Sequence, residues 1–283
     1  MIRMVLAFSM AAALLGASPE YDRARKMYSY TDYDGSLKIL LKMEPKDAGA
    51  MELIGRNYYM LADYRRAGEW LEKAVAADPS SSAHVHWLGR AYGRRAETSS
   101  PFTAPGWARK TRQAFEKAVE LDPNNVEAAN DLFEYYLEAP GFLGGGYDKA
   151  AALAGKIAAR DPVEGHYANA KLAEKRKDTR GAEQQLRRAA ELAPQQVGRI
   201  IDLAKFLARH GRFQEAEQSF QQAARIAPNN PKLLFERADT YIKAGRNLEE
   251  ARQLLRQYLQ ARLTPDDPPR VAAEKLLRKA SGG

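Results

Sequence analysis

The sequence predicts an all-α protein built from a repeated pair of helices. Similar segments ending in proline recur along the chain, among them AVAADP at Pro79, AVELDP at Pro123 and AARIAP at Pro228. Successive prolines of this kind lie between 32 and 44 residues apart, which is enough chain for two helices and their turns. A period of this length indicates stacked helical hairpins, whose core forms between neighbours.

Small and apolar residues recur at three positions ahead of each proline, twelve, eight and five residues before it. These positions hold Ala67, Leu71 and Ala74; Thr111, Phe115 and Ala118; Ala150, Ala154 and Ile157; Ala182, Leu186 and Ala189; and Ala216, Phe220 and Ala223. Spacings of four and three residues place them on one face of a helix. We therefore expect a second helix to pack closely on this face, and the proline to end the segment.

The helix upstream of each such segment has its own pattern. Gly55 and Gly89 are each followed three residues later by a tyrosine, Tyr58 or Tyr92. The glycine is expected to admit the partner helix, and the tyrosine to fill the space beside it.

These positions, together with Trp87-Leu88-Gly89 and Tyr92, resemble the tetratricopeptide repeat, a helix–turn–helix unit of 34 residues. The resemblance implies a solenoid of about seven helical hairpins with a C-terminal capping helix. The main array is predicted at residues 48–263, after a degenerate first repeat at 18–47 with a shortened second helix. Residues 264–283 are predicted to be the capping helix and a tail. Such arrays bind proteins or peptides on a concave surface.

The first 17 residues are predicted to be a secretory signal peptide. Arg3 precedes an apolar run, Met4–Gly16, that is too short to span a bilayer comfortably, and small residues precede Ser18. An ordinary N-terminal helix is the alternative. We therefore expect an exported protein, periplasmic or associated with the cell envelope, with no stable membrane span after removal of the signal.

Composition and motifs exclude several classes of function. The chain has no cysteine, which excludes disulfides, thiolate metal sites and a cysteine nucleophile. Its net charge of +8 is dispersed, without the dense basic block of a nucleic-acid-binding arm. His84 and His86 lie two apart on a helix and point in different directions, so they do not share a metal. No GxSxG motif occurs. The expectation is a non-enzymatic protein with no cofactor, metal or nucleic-acid partner.

A glycine cluster followed by lysine, LEAPGFLGGGYDKAA at 137–151, invites comparison with a phosphate-binding loop. Such a loop needs GxxxxGK[ST] between a strand and a helix, whereas Tyr147 and Asp148 follow Gly146 here. We instead predict a turn, lengthened by about five residues, between a helix at 126–138 and another that begins near Tyr147.

A second lengthened turn is predicted in the preceding copy, where ETSSPFTAPGW at 97–107 adds about ten residues. Both segments contain Ala-Pro-Gly followed by an aromatic residue. Equivalent turns of stacked repeats project from one edge, so the two are expected to form a loop lip. The loop lip comprises Phe102, Trp107, Phe142 and Leu143. It either contacts a partner or only packs and seals the stack; the sequence leaves both readings open.

The family resemblance also implies which residues line the groove, because certain positions of each first helix face it. The implied partner-binding residues are Arg56, Tyr59, His86, Arg90, Arg94, Asn130, Glu134, Tyr167, Lys171, Lys175, Lys205, Arg209 and Phe235. Arginine and aromatic side chains are favoured at protein-binding surfaces. The lysine that some family members use to hold a terminal carboxylate is absent at position 5, so a chaperone-tail receptor is not predicted.

These observations favour an exported scaffold or adaptor that binds a protein or peptide through the groove and the two lengthened turns. The alternative is a glycan- or cell-wall-associated module that stacks sugars on Tyr59, Tyr167, Phe235 and Trp107. An enzyme using the turns as a lid lacks a catalytic constellation. The stretches WLGRAY and APGFLGGG resemble exported bacterial tetratricopeptide repeat proteins, which implies a family but no defined activity.

Overall fold

The computed structural model describes residues 18–282, so the predicted signal peptide lies outside the described residues. Within this part of the chain the regular structure is helical throughout. The α-helices are α1 Pro19–Ser29, α2 Tyr33–Leu40, α3 Ala48–Met60, α4 Tyr64–Ala77, α5 Ser82–Thr98, α6 Ala104–Leu121, α7 Val126–Glu138, α8 Tyr147–Arg160, α9 Pro162–Lys175, α10 Thr179–Leu192, α11 Val197–Arg209, α12 Phe213–Ile226, α13 Pro231–Ala244, α14 Leu248–Gln260 and α15 Arg270–Ala280. A short 3₁₀ turn, Gly141–Leu143, lies between α7 and α8.

The helices pair in chain order, from α1 with α2 to α13 with α14, and each second helix also packs on the first helix of the next hairpin. The last helix, α15, packs against α13 and α14 and buries Ala273 and Ala280 there. The predicted all-α solenoid of about seven hairpins with a capping helix is therefore confirmed. In the first hairpin the second helix, α2, has only eight residues.

The proline-terminated segments behave as their pattern predicts. Helices α4, α6, α8, α10 and α12 each end two residues before the recurring proline. All fifteen side chains at the three positions ahead of the prolines, from Ala67 to Ala223, are buried. They form the face on which paired helices meet. The periodicity therefore correctly predicted which residues of these helices are buried.

Gly89 shows why the first helix needs a glycine. A Cβ atom at this position would lie 2.6 Å from a ring carbon of Phe115 and 3.2 Å from the Cβ of Ala114, both on α6. A contact of 2.6 Å does not occur between packed carbon atoms, and one of 3.2 Å is unusually tight. The glycine therefore allows α5 and α6 to approach closely.

Tight turns join the helices in the first, second, fifth and sixth hairpins. The residue before the second helix's N-cap has a left-handed backbone, with φ near +60° at Thr31, Ala62 and Lys177 and +75° at Gly211. In the first three of these turns an aspartate then accepts a hydrogen bond from the backbone N–H three residues on. This N-cap satisfies a donor that the helix leaves free.

The third hairpin differs from the prediction of a turn lengthened by about ten residues. Most of the added chain is helical, because α5 has 17 residues and α6 has 18, and only residues 99–103 connect them. Pro105 lies in the first turn of α6, where its missing N–H costs no hydrogen bond. Trp107 therefore belongs to a helix, and the expected long turn is wrong.

The fourth hairpin agrees with the sequence-based prediction, since α7 spans Val126–Glu138 and α8 begins at Tyr147. The glycine cluster makes a compact turn: a Cβ atom on Gly145 would lie 1.9 Å from the carbonyl oxygen of Ala139. Lys149 donates to the carbonyl oxygen of Gly144 over 3.0 Å. The cluster thus serves backbone packing, and its lysine is bound to the turn itself.

None of the helices between residues 18 and 282 combines the length and apolar character needed to cross a membrane.

Replacing Gly89 with leucine is expected to lower the free energy of unfolding by about 1–3 kcal/mol, because the new side chain overlaps Phe115. Urea denaturation followed by circular dichroism measures the change. Gly155→Ala is the matched control: Gly155 is exposed on α8 with no atom near the added Cβ. The control is expected to raise stability by about 0.5–1 kcal/mol, since alanine is the better helix former. Equal stability of wild type and Gly89→Leu would contradict this packing.

Candidate interaction surface

The candidate surface is the inner face of the solenoid, formed by the first helices of the hairpins. First helices of successive hairpins touch, as α5 touches α3 and α7, and α11 touches α13. Within residues 18–282 no comparable contacts join the second helices. The side on which helices crowd together is the concave side of a bent array, so α3, α5, α7, α9, α11 and α13 line the groove.

Hydrogen bonds and ion pairs link the groove side chains of neighbouring hairpins. The pairs are Glu52–His84, His86–Asp131, Arg90–Asp131, Asn130–Glu164, Arg199–Glu164, Glu138–Lys175, Glu174–Arg209 and Lys205–Glu236. We call this set the inter-repeat ladder. The partners lie roughly one repeat apart in sequence, so the ladder follows from the stacking of equivalent positions.

The ladder is tightest around Asp131 of α7. Its Oδ2 accepts from His86 Nε2 at 2.7 Å and from Arg90 Nε at 2.6 Å. Burial alone raises the pKa of Asp131, but the hydrogen bonds and charges of His86 and Arg90 outweigh it and lower the pKa. The His86 side chain is only 2% exposed. The sequence placed His86 in the groove lining, yet in the structure its ring is buried between repeats.

A cluster of aromatic rings and cations occupies the groove between α3 and α5. The Tyr59 ring meets the rings of Trp87 and Tyr64 edge-on, with centroids 5.6 and 5.5 Å apart. The guanidinium groups of Arg56 and Arg90 lie 4.5 and 4.9 Å from the centroid of Trp87. Each of these two cation–π contacts stabilises the folded protein by about 0.5–1 kcal/mol at a partly exposed site. The sequence analysis missed Trp87 as the centre of this cluster.

Arg94 lies near the C-terminal end of α5. Its guanidinium donates to the Tyr64 hydroxyl at 3.1 and 3.2 Å and also pairs with Glu97. Arg94 therefore has partners in its own chain, as Arg90 has.

In the middle of the groove, Glu134 of α7 and Lys171 of α9 lie outside the ladder, although ladder pairs join other side chains of these helices. Burial raises the pKa of Glu134, and the nearby Lys171 only partly opposes this shift. Lys171 and Glu134 make no ion pair within 4.0 Å to any residue among 18–282. Burial also raises the pKa of Asp202 although Arg199 lies 2.9 Å away, so desolvation outweighs the ion pair there. Arg199 in turn covers the Tyr167 ring at 4.2 Å.

At the C-terminal end of the groove, Lys205 lies 2.6 Å from Glu236 and Arg209 lies 2.5 Å from Glu174. The Phe235 ring packs against Tyr258, with centroids 5.3 Å apart. These side chains stabilise contacts between hairpins as well as lining the surface.

The structure separates the loop-lip residues into two groups. Phe102 is 95% exposed and Phe142 is 81% exposed. Trp107 instead packs on Tyr92 with centroids 5.5 Å apart, and the Arg95 guanidinium lies 3.5 Å from the tryptophan centroid. Phe102 and Phe142 are thus the exposed pair, and Trp107 is a packing residue.

Leu143, the remaining loop-lip residue, is half-buried in the 3₁₀ turn that packs on α6. Its carbonyl oxygen accepts from the Tyr135 hydroxyl at 3.0 Å. Leu143 and Trp107 therefore pack within the protein, as the sealing interpretation expects. Phe102 and Phe142 project outward, as the partner-contact interpretation requires.

The histidines have local partners. His84 pairs with Glu52, and His166 Nδ1 lies 2.6 Å from Gln185 Oε1. The hydrogen bond to Glu52 raises the pKa of His84. No cluster of three or more potential metal ligands occurs in residues 18–282.

Removing the Asp131 carboxylate by Asp131→Ala is expected to lower the free energy of unfolding by about 1–3 kcal/mol, because buried His86 loses its partner. Thermal and urea unfolding measure the loss. Glu127→Ala is the control: Glu127 also approaches Arg90, at 3.5 Å, but its side chain is 69% exposed. Its removal is expected to change stability by less than about 0.5 kcal/mol. Similar losses of stability in both variants would contradict the larger contribution expected of the buried Asp131–His86 contact.

Two stretches of the sequence, residues 10–82 and 207–279, match the tetratricopeptide repeat family. None of the curated proteins matches the chain significantly. Among solved structures, a thermophilic TPR protein of Thermus thermophilus is 22% identical, with a TM-score of 0.55, over 66% of this chain and 97% of its own. A tetratricopeptide repeat protein from Parabacteroides merdae is 12% identical, with a TM-score of 0.60, over 93% of this chain and 97% of its own.

The human IFIT1 dimer with PPP-AAAA is similar at 19% identity and a TM-score of 0.56, over 85% of this chain and 54% of IFIT1. At these identities the likeness concerns the fold alone. The recurring alanine and proline positions, the seven stacked hairpins and the two matched stretches agree, and the protein belongs to the tetratricopeptide repeat family.

Proposed function

We propose that this protein is an exported, non-enzymatic scaffold that binds another protein or an extended peptide in its concave groove. The observation that carries the proposal is that two charged side chains in the middle of the groove, Glu134 and Lys171, are outside the ladder's ion pairs. The inter-repeat ladder already engages other charged groups around them. A partner therefore gains most by contacting the middle.

The family supports the general part of this proposal, because tetratricopeptide repeats generally mediate protein–protein interactions as non-catalytic scaffolds. The localisation, in the periplasm or at the cell envelope, rests on the apolar run and small residues of the first 17 positions.

The chemistry of the middle suggests how a partner is held. Lys171 offers an ammonium group to a partner carboxylate, as a charge-assisted hydrogen bond. Glu134 is a partly desolvated carboxyl among Asp131, Glu138 and Glu174, whose charges raise its pKa further. A basic group of the partner placed at Glu134 would stabilise its ionised form. The site thus suits a peptide segment that carries both an acidic and a basic side chain.

Protein or peptide binding is favoured over glycan binding by the state of the aromatic rings. Tyr59, Tyr167, Phe235 and Trp107, which a glycan would use for stacking, each pack against a protein ring or cation. Phe102 and Phe142 project outward and provide a second, apolar contact for a partner at the loop lip.

Lys171→Glu is expected to weaken partner capture at least tenfold without changing helicity, because it reverses the available charge in the groove. The measurement is quantitative crosslinking from the native envelope fraction. Lys156→Glu is the matched control, since Lys156 is exposed on α8, a second helix outside the groove. A variant with Phe102 and Phe142 both changed to serine tests the loop lip in parallel. Capture of the same partner at equal yield by Lys171→Glu and wild type would contradict the groove site.

The export proposal predicts a mature N-terminus at Ser18 when the full chain is produced in a bacterial host. Intact mass and N-terminal sequencing of the periplasmic fraction measure it. The double variant Leu14→Arg and Leu15→Arg interrupts the apolar run and is expected to retain the protein in the cytoplasm. The control Arg3→Lys preserves the positive charge and is expected to be exported normally. A cytoplasmic wild-type protein that retains residues 1–17 would contradict export.

A further inference from the structure

The two ends of the described chain meet in space. The guanidinium of Arg262, just after α14, lies 4.0 Å from the centroid of the Tyr30 ring, just after α1. Both residues are exposed. An arginine over an aromatic face at this distance is a cation–π contact. Since the remaining packing of the solenoid joins neighbouring elements, this contact between opposite ends is unlike the others.

A gap of about 480 Å³ lies beside this contact. One wall comes from Tyr28 of α1, another from Glu52 and Arg56 of α3, and a third from Pro265 and Asp266. Glu52 and Arg56 belong to the groove. The segment that carries Pro265 therefore lies across the N-terminal end of the concave surface.

We call residues 261–269 the C-terminal loop, and its shape is maintained by its own hydrogen bonds. The backbone N–H and the hydroxyl of Thr264 donate to Asp267 at 2.8 and 2.9 Å. Arg270 donates to the carbonyl oxygen of Ala261 at 2.8 Å, and the Tyr258 hydroxyl donates to that of Pro268. The loop thus meets the first hairpin as a preformed element.

The carboxylates of the C-terminal loop act electrostatically on a side chain of the first hairpin. Burial, then the Tyr28 phenol and the carboxylates of Asp266 and Asp267, raise the pKa of Tyr33 at the start of α2. The contribution of Asp266 and Asp267 to this shift follows from the close approach of the two ends.

We propose that the first hairpin and the C-terminal loop form a reversible clasp that closes the concave groove into a ring. A solenoid bends easily because each hairpin contacts only its neighbours, and small changes at each junction add up along the array. The clasp that opposes this bending is small, centred on one exposed cation–π contact beside an open gap. Closed and open forms therefore differ little in free energy, and the open form admits an extended segment to the groove. This role in access rests on the proposed groove function, whereas the clasp itself does not.

The absence of cysteine makes the clasp directly measurable. Spin labels attached at Lys26→Cys on α1 and Gln257→Cys on α14, both exposed positions, report the distance between the ends by pulsed electron resonance. The labelled, otherwise wild-type chain without partner is expected to show a short-distance population. Arg262→Glu is expected to lower the ratio of closed to open forms by about twofold to fivefold, the effect of losing one exposed cation–π contact.

Two controls separate the specific contact from general effects. Lys275→Glu makes the same change in charge on the exposed surface of α15 and is expected to leave the distances unchanged. Tyr30→Phe retains the ring and is expected to stay closed, whereas Tyr30→Ala opens the array. Circular dichroism checks that all variants remain folded.

An unchanged distance distribution in Arg262→Glu would overturn the clasp, as would equal opening by Tyr30→Phe and Tyr30→Ala. Because these distances are measured without a partner, they do not depend on the Lys171 experiment. Loss of the groove site with a clasp that still opens and closes would refute the proposed function alone.

Discussion

The close approach of paired helices across alanine and glycine is the contact on which the rest of this structure depends. Only a methyl group projects from the backbone at Ala67, Ala150, Ala182 and Ala216, and Gly89 has no side chain at all. Helices that meet this closely bury enough surface for hairpins to stack, although no hairpin has a complete core of its own. The repetition of one packing geometry brings the first helices together on one side and so creates the groove.

That regular stacking also explains the electrostatics of the groove. Equivalent positions of successive hairpins face each other, so opposite charges about one repeat apart become neighbours, as Glu174 and Arg209 do. A partly exposed ion pair contributes little by itself. The buried contacts of Asp131 contribute more, because His86 has no access to water in their place. Many groove charges are therefore satisfied within the chain, whereas Glu134 and Lys171 lie outside the ladder's ion pairs.

The regular repeat is altered in the third and fourth hairpins and at the two ends of the array. The third and fourth hairpins extend the edge of the array and expose Phe102 and Phe142, while the adjacent middle of the groove contains Glu134 and Lys171. At the ends, the C-terminal loop reaches the first hairpin through Arg262.

The sequence by itself determined the local features: the helix ends two residues before each proline, the buried alanine faces and the bounds of α7 and α8. These follow from the period of the helix and from proline chemistry, both of which act over a few residues. The sequence assigned the groove residues to helices but did not identify the side chains that they contact. The environment of His86, for example, includes Asp131 in the next hairpin. A search for opposite charges one repeat apart would have found part of the ladder. Only the tertiary structure showed that Trp107 of α6 packs on Tyr92 of α5 and that Arg262 contacts Tyr30. Both depend on the angles between hairpins, which accumulate over the whole array and have no local signature.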